Sequence, residues 1–61
     1  MSIRVKYRNS VKHWLVTNHF WNTEKAKEWV KEHKEEIYEF RDKDWDPFRV
    51  AEIIDAVERN R

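Results

Sequence analysis

The sequence predicts an α+β fold: an N-terminal two-stranded antiparallel β-hairpin followed by two α-helices (ββαα) packed on one face of the sheet. Three observations carry this expectation. Residues 3–8 alternate apolar and basic side chains, residues 23–42 repeat their apolar side chains at helical spacing, and Asp46-Pro47 introduces a second helical run. All 61 residues fall in a single domain, with the hairpin at about 2–20 and the helices at about 23–42 and 47–60.

In the hairpin segment, Ile3, Val5 and Tyr7 share one parity and Arg4, Lys6 and Arg8 the other, the pattern of a strand with one dry face. With Asn9-Ser10 as a two-residue turn, Tyr7 faces Lys12, Val5 faces Trp14 and Ile3 faces Val16, which gathers the apolar residues on one side. Two helices on a two-stranded sheet make a thin domain, so a homodimer through the sheet is a further expectation.

The following segment changes period. Ala26, Trp29, Val30, His33, Ile37 and Phe40 fall in one stripe of a helical wheel, with Asn22 or Thr23 as cap and Lys and Glu covering the remaining surface. The last helix carries Val50, Ile53, Ile54 and Val57 as its stripe, and Asp46 caps it with Pro47 in its first turn. The chain contains no glycine, so every turn is made by other residues, and no glycine-loop phosphate motif is available. It contains no cysteine, which removes disulfides and thiolate ligands and leads us to expect a cytoplasmic protein. No apolar run approaches a membrane span, and no membrane partner is expected.

Catalytic and metal-ligating constellations are hard to assemble. Asp42, Asp44 and Asp46 supply the first three oxygens of an EF-hand loop, but Pro47 stands where the loop needs glycine and Ile53 where it needs the closing glutamate. The stretch reads instead as an interhelical joint. His13 and His19 belong to no ligand pair, and His33 lies on an apolar stripe. Ser2 and Ser10 have no evident base beside them. No catalytic residue, metal site or cofactor is therefore assigned, and the expectation is a binding protein rather than an enzyme.

The net charge of +1 conceals a split. Four of the thirteen Lys and Arg, and none of the twelve acids, lie in residues 1–21, giving +4 there and −3 in residues 22–61. On a strand, Arg4, Lys6 and Arg8 project from one face at steps of about 7 Å, comparable to the phosphate spacing of an extended nucleic acid, with Lys12 and His13 nearby and Trp21 able to stack on a base. The expected binding residues are thus Arg4, Lys6, Arg8, Lys12, His13 and Trp21, and the expected partner is nucleic acid or an acidic protein surface. A second reading is a small phage- or mobile-element-type inhibitor that works by protein–protein contact through Trp21, Phe48 or Trp45. A third is a laboratory-designed mini-protein, compatible with the missing glycine and the Lys/Glu-rich helix.

Overall fold

The computed structural model describes residues 2–61, and among them there are four α-helices and no strand: α1 Ile3–His19, α2 Thr23–Glu32, α3 Lys34–Asp42 and α4 Pro47–Arg59. The α+β expectation is overturned, and with it the hairpin and the sheet through which a homodimer was to form. The physical reason lies in α1. The alternation of residues 3–8 competes with a helical stripe that runs through Tyr7, Val11, Trp14 and Leu15, and the helical stripe wins because it reaches a deeper core. Val11 and Leu15 are fully buried, whereas Ile3, an inward residue on the strand reading, is 66% exposed. A two-stranded hairpin has one face to bury. A central helix offers side chains to several neighbours, and α1 packs against α4, α2 and α3 in turn.

Side chains that would favour a turn are absorbed into α1. Ser2 caps it by accepting from the Val5 amide at 3.2 Å. Ser10 and Thr17 turn their hydroxyls back onto the carbonyls of Lys6 and His13 at 3.1 and 2.8 Å, satisfying groups that would otherwise compete with the helix. The helix ends at Phe20, which takes the left-handed conformation at φ 60° while the Trp21 amide reaches back to the Leu15 carbonyl at 3.0 Å. Glycine ordinarily fills such a position.

The segment expected as one helix over about 23–42 is two. Asn22 opens α2, its carbonyl oxygen accepting from the Glu24 and Lys25 amides. At His33 the backbone leaves the helical region (φ −111°, ψ 26°). The His33 ring stacks on Trp29 with centroids 3.8 Å apart, and its Nδ1 lies 2.9 Å from the Trp29 carbonyl that already receives the His33 amide. The ring thus shares the carbonyl at which the α2 ladder ends, and α3 begins at the next residue. Val30 before the break and Ile37 after it both lie in the core.

α4 opens at Asp46, whose carboxylate accepts from the Phe48 amide at 2.8 Å, with Pro47 in the first turn. Its buried face is turned relative to the expected stripe. Val50 and Ile54 are buried as expected, but Ala51 and Asp55 join them, while Val57 is 53% exposed. Asp55 is accommodated by full pairing. Its Oδ1 accepts from Trp21 Nε1 at 2.9 Å, and its Oδ2 lies 2.7 Å from Arg59 Nε and 3.3 Å from His19 Nδ1. Burial by itself raises the carboxyl pKa, yet the hydrogen bonds from Trp21 and Arg59 and the charges of Arg59 and His19 outweigh it and hold Asp55 below its ordinary 3.8. One turn on, Glu58 accepts from Trp29 Nε1 at 3.0 Å, so two tryptophans are pinned to α4 by their indole N–H groups. Tyr7 ties α1 to the α3–α4 joint by donating to the Trp45 carbonyl at 2.6 Å; burial, and after it the Asp46 charge, raises its hydroxyl pKa above 10. Among the described residues no helix is long and apolar enough to cross a membrane.

Candidate polyanion-binding groove

Arg8 and Lys12 stand four residues apart on α1, Lys27 and Lys31 four apart on α2, and Lys34 opens α3 just past the break at His33. Residues at that spacing form one ridge on a helix. The two ridges face each other across a groove of about 280 Å³ whose lining is completed by Asn9 and the buried Val30. The lining holds five cationic side chains and no acid. Among the described residues none of the five has a carboxylate within ion-pair distance; the pairs present involve Arg4, His19, Arg41, Arg59 and Arg61. Arg8 is steadied by a neutral partner, its Nη1 donating to the Tyr38 hydroxyl at 3.4 Å. The groove thus presents a concentrated positive potential with the charge left available to an incoming anion. With Arg, Lys, Asn and Val as its lining, the groove has the chemistry to recognise an anion by charge and hydrogen bonding.

The six expected binding residues are dispersed by the helical fold. Arg8 and Lys12 enter the groove. Arg4, one turn before Arg8, is held by Asp42 at 3.5 Å and lies over the Tyr38 ring at 5.6 Å. Lys6 and His13 are exposed on other sides of α1, His13 with its ring edge-on to Trp14 at 5.2 Å. Trp21 is only 9% exposed and donates to Asp55, which places it in the interior and away from a stacking role. The strand geometry that aligned Arg4, Lys6 and Arg8 does not exist; on a helix Lys6 turns to the far side from Arg8.

Hydropathy does not single out Lys27, Lys31 and Lys34, because it scores Lys and Glu alike on the surface of residues 23–42. A wheel of charge sign rather than hydropathy finds them: the lysines recur at 27, 31 and 34, and the glutamates at 24, 28, 32 and 36, on a neighbouring line. The three aspartates of the joint go separate ways. Asp42 pairs with Arg4 and Arg41, Asp44 takes a left-handed φ of 61°, and Asp46 caps α4. Comparison with family models, curated proteins and solved structures gives no match for this chain.

Proposed function

We propose that this chain is a non-enzymatic binding protein that docks on a polyanion, nucleic acid first, through the groove of Arg8, Lys12, Lys27, Lys31 and Lys34. The observation that carries the proposal is the convergence of five unpaired cations from three helices on one groove without an intervening acid. Phosphate contacts of this kind position a protein without reading sequence, so the expected binding is salt-sensitive and weakly sequence-selective. A cytoplasmic location, expected from the lack of cysteine, is part of the same proposal.

The test is a salt titration of fluorescence anisotropy with labelled single-stranded and duplex oligonucleotides. With all five cations engaged, log K falls against log salt with a slope of about −3.5 on single strands and about −4.5 on duplex. Lys27→Glu with Lys31→Glu lowers affinity and flattens that slope. Absence of salt-sensitive binding at low ionic strength, or binding indifferent to the double substitution, rejects the proposal.

A further inference from the structure

The rotation of α4 that buries Ala51 and Asp55 leaves apolar side chains uncovered on the far side of the molecule. Between α3 and α4 lies a cleft of about 200 Å³ formed by Trp29, Ile37, Phe40, Ile53, Ile54 and Val57, with Glu36 on its rim. Ile37 and Ile54 make its buried floor, and the half-exposed Val57 its lip. The cleft does not stand alone. Trp29 also belongs to the neighbouring surface of Glu24, Glu28 and Glu32, and Phe40 and Glu36 to that of Glu39. An apolar slot is thereby set in a line of glutamates, with Lys25 and Lys43 the cations at its two ends.

We infer that this cleft is a docking site for a basic amphipathic helix of a partner protein, which seats one bulky apolar side chain between Ile37, Ile53 and Val57 and lays Lys or Arg along the glutamate line. Both halves of that description come from the surface itself. The slot is dry-floored and of a size for one side chain, the anchor-in-pocket arrangement of helix-in-groove recognition. The glutamates set the sign of the partner's charge. A second copy of this chain fits less well. Pairing the cleft with itself brings two acidic edges together, and the chain's own basic groove has only the buried Val30 to offer as an apolar contact.

The experiment uses the full chain and three synthetic labelled peptides: a helix of Lys and Leu, its Glu and Leu counterpart, and a Lys-only chain of equal length. Binding is read by anisotropy and mapped by ¹⁵N–¹H spectra, in which the Trp29 indole N–H and the amides of Ile37, Phe40, Ile53 and Val57 are the reporters. The Lys/Leu peptide binds, shifts those signals, and loses about tenfold in affinity on Val57→Glu, as removal of an interface anchor does. Glu36→Lys costs about threefold and more at low salt. Both positions are exposed or on the cleft lip, and helix content by circular dichroism verifies that the variants fold. Equal binding of the Lys-only peptide, equal binding of the Glu/Leu peptide, or shifts centred on α1 and α2 instead of the cleft overturns the inference. So does concentration-dependent dimerisation that Val57→Glu abolishes, since the occupant is then a second copy. The result is independent of the basic groove, because Lys27→Glu with Lys31→Glu leaves peptide binding in place if the inference holds.

Discussion

The two edges of the α2–α3 pair carry opposite signs within one stretch of chain. One edge presents Lys27, Lys31 and Lys34 to a polar groove shared with α1; the other carries Glu36 on the rim of an apolar cleft shared with α4, and Glu24, Glu28 and Glu32 on the surface that adjoins that cleft at Trp29. The difference teaches that a net charge of +1 describes neither surface. α2 keeps favourable Glu–Lys neighbours three residues apart, Glu24 with Lys27 and Glu28 with Lys31, so segregating the signs around that helix is compatible with its stability. What the segregation adds is two fields of opposite sign on one small domain, the basis of the two docking surfaces proposed above.

Both edges hang on α1 and the network beneath it, and the largest expected effect comes from removing that support. Leu15 is fully buried at the centre of the core. Leu15→Ala is expected to cost about 2–5 kcal/mol, comparable to the ~3–5 kcal/mol that a core of this size supplies. Urea titration followed by circular dichroism should show a largely unfolded chain, and both binding activities should vanish together. If one edge survives, the two faces do not share a single cooperative unit.

Asp55 offers a graded version of the same disturbance. Asp55→Asn leaves the His19 and Arg59 contacts without their anion and is expected to cost about 1–3 kcal/mol near neutral pH. Because the Asp55 pKa is depressed on folding, its contribution is present above the ordinary 3.8 and is lost as pH falls through the lower folded value. Stability of the native sequence should therefore fall between about pH 5 and about pH 2, and the Asp55→Asn variant should show a shallower fall over that window. Identical slopes in the two proteins would remove Asp55 from the acid response.

Next in size is the charge reversal that addresses one edge alone. Lys27→Glu with Lys31→Glu should weaken oligonucleotide binding about tenfold or more at low salt while leaving the melting transition nearly unchanged, as exposed substitutions do. Loss of both oligonucleotide and basic-peptide binding would mean that the two edges are not separate surfaces.

These contrasts also show what could be read from the residues and what could not. The start of α4 was legible because Asp46 and Pro47 act locally: a carboxylate accepting from an amide two residues on and a ring with φ already set need no knowledge of the rest of the fold. The start of α2 at Asn22 is of the same kind. α1 was misread because its decision is not local. Residues 3–8 satisfy a period of two, and only the burial of Val11 and Leu15 against three other helices makes the helical period the lower-energy choice. The break at His33 coincides with a ring that shares the Trp29 carbonyl and stacks on the Trp29 indole, features that hydropathy does not register. Of the candidate site, Arg8 and Lys12 were found for a reason that no longer applies, the strand-like spacing of the basic residues. They remain in the groove because positions four apart on α1 share a side with Lys27 and Lys31 of the next helix.

Phe20 tests the boundary between the two edges with the smallest expected effect. It is 88% exposed, holds φ at 60°, and lines neither the basic groove nor the apolar cleft. The left-handed conformation costs a residue with a Cβ roughly 1–2 kcal/mol, and glycine avoids that penalty. Glycine also gains freedom in the unfolded chain, which takes back roughly 0.5–1 kcal/mol. Phe20→Gly should therefore stabilise the domain by about 0.5–1 kcal/mol, visible as a higher urea midpoint with an unchanged slope. Destabilisation instead would mean that the ring makes a folded-state contact worth more than the strain. If stability rises while oligonucleotide affinity falls, the ring is a stacking platform lying beyond the end of the lysine ridge, and the strain at the end of α1 is retained for binding. If peptide affinity falls instead, the acidic edge extends round the α1 C-terminus, and the division between the two faces has to be redrawn there.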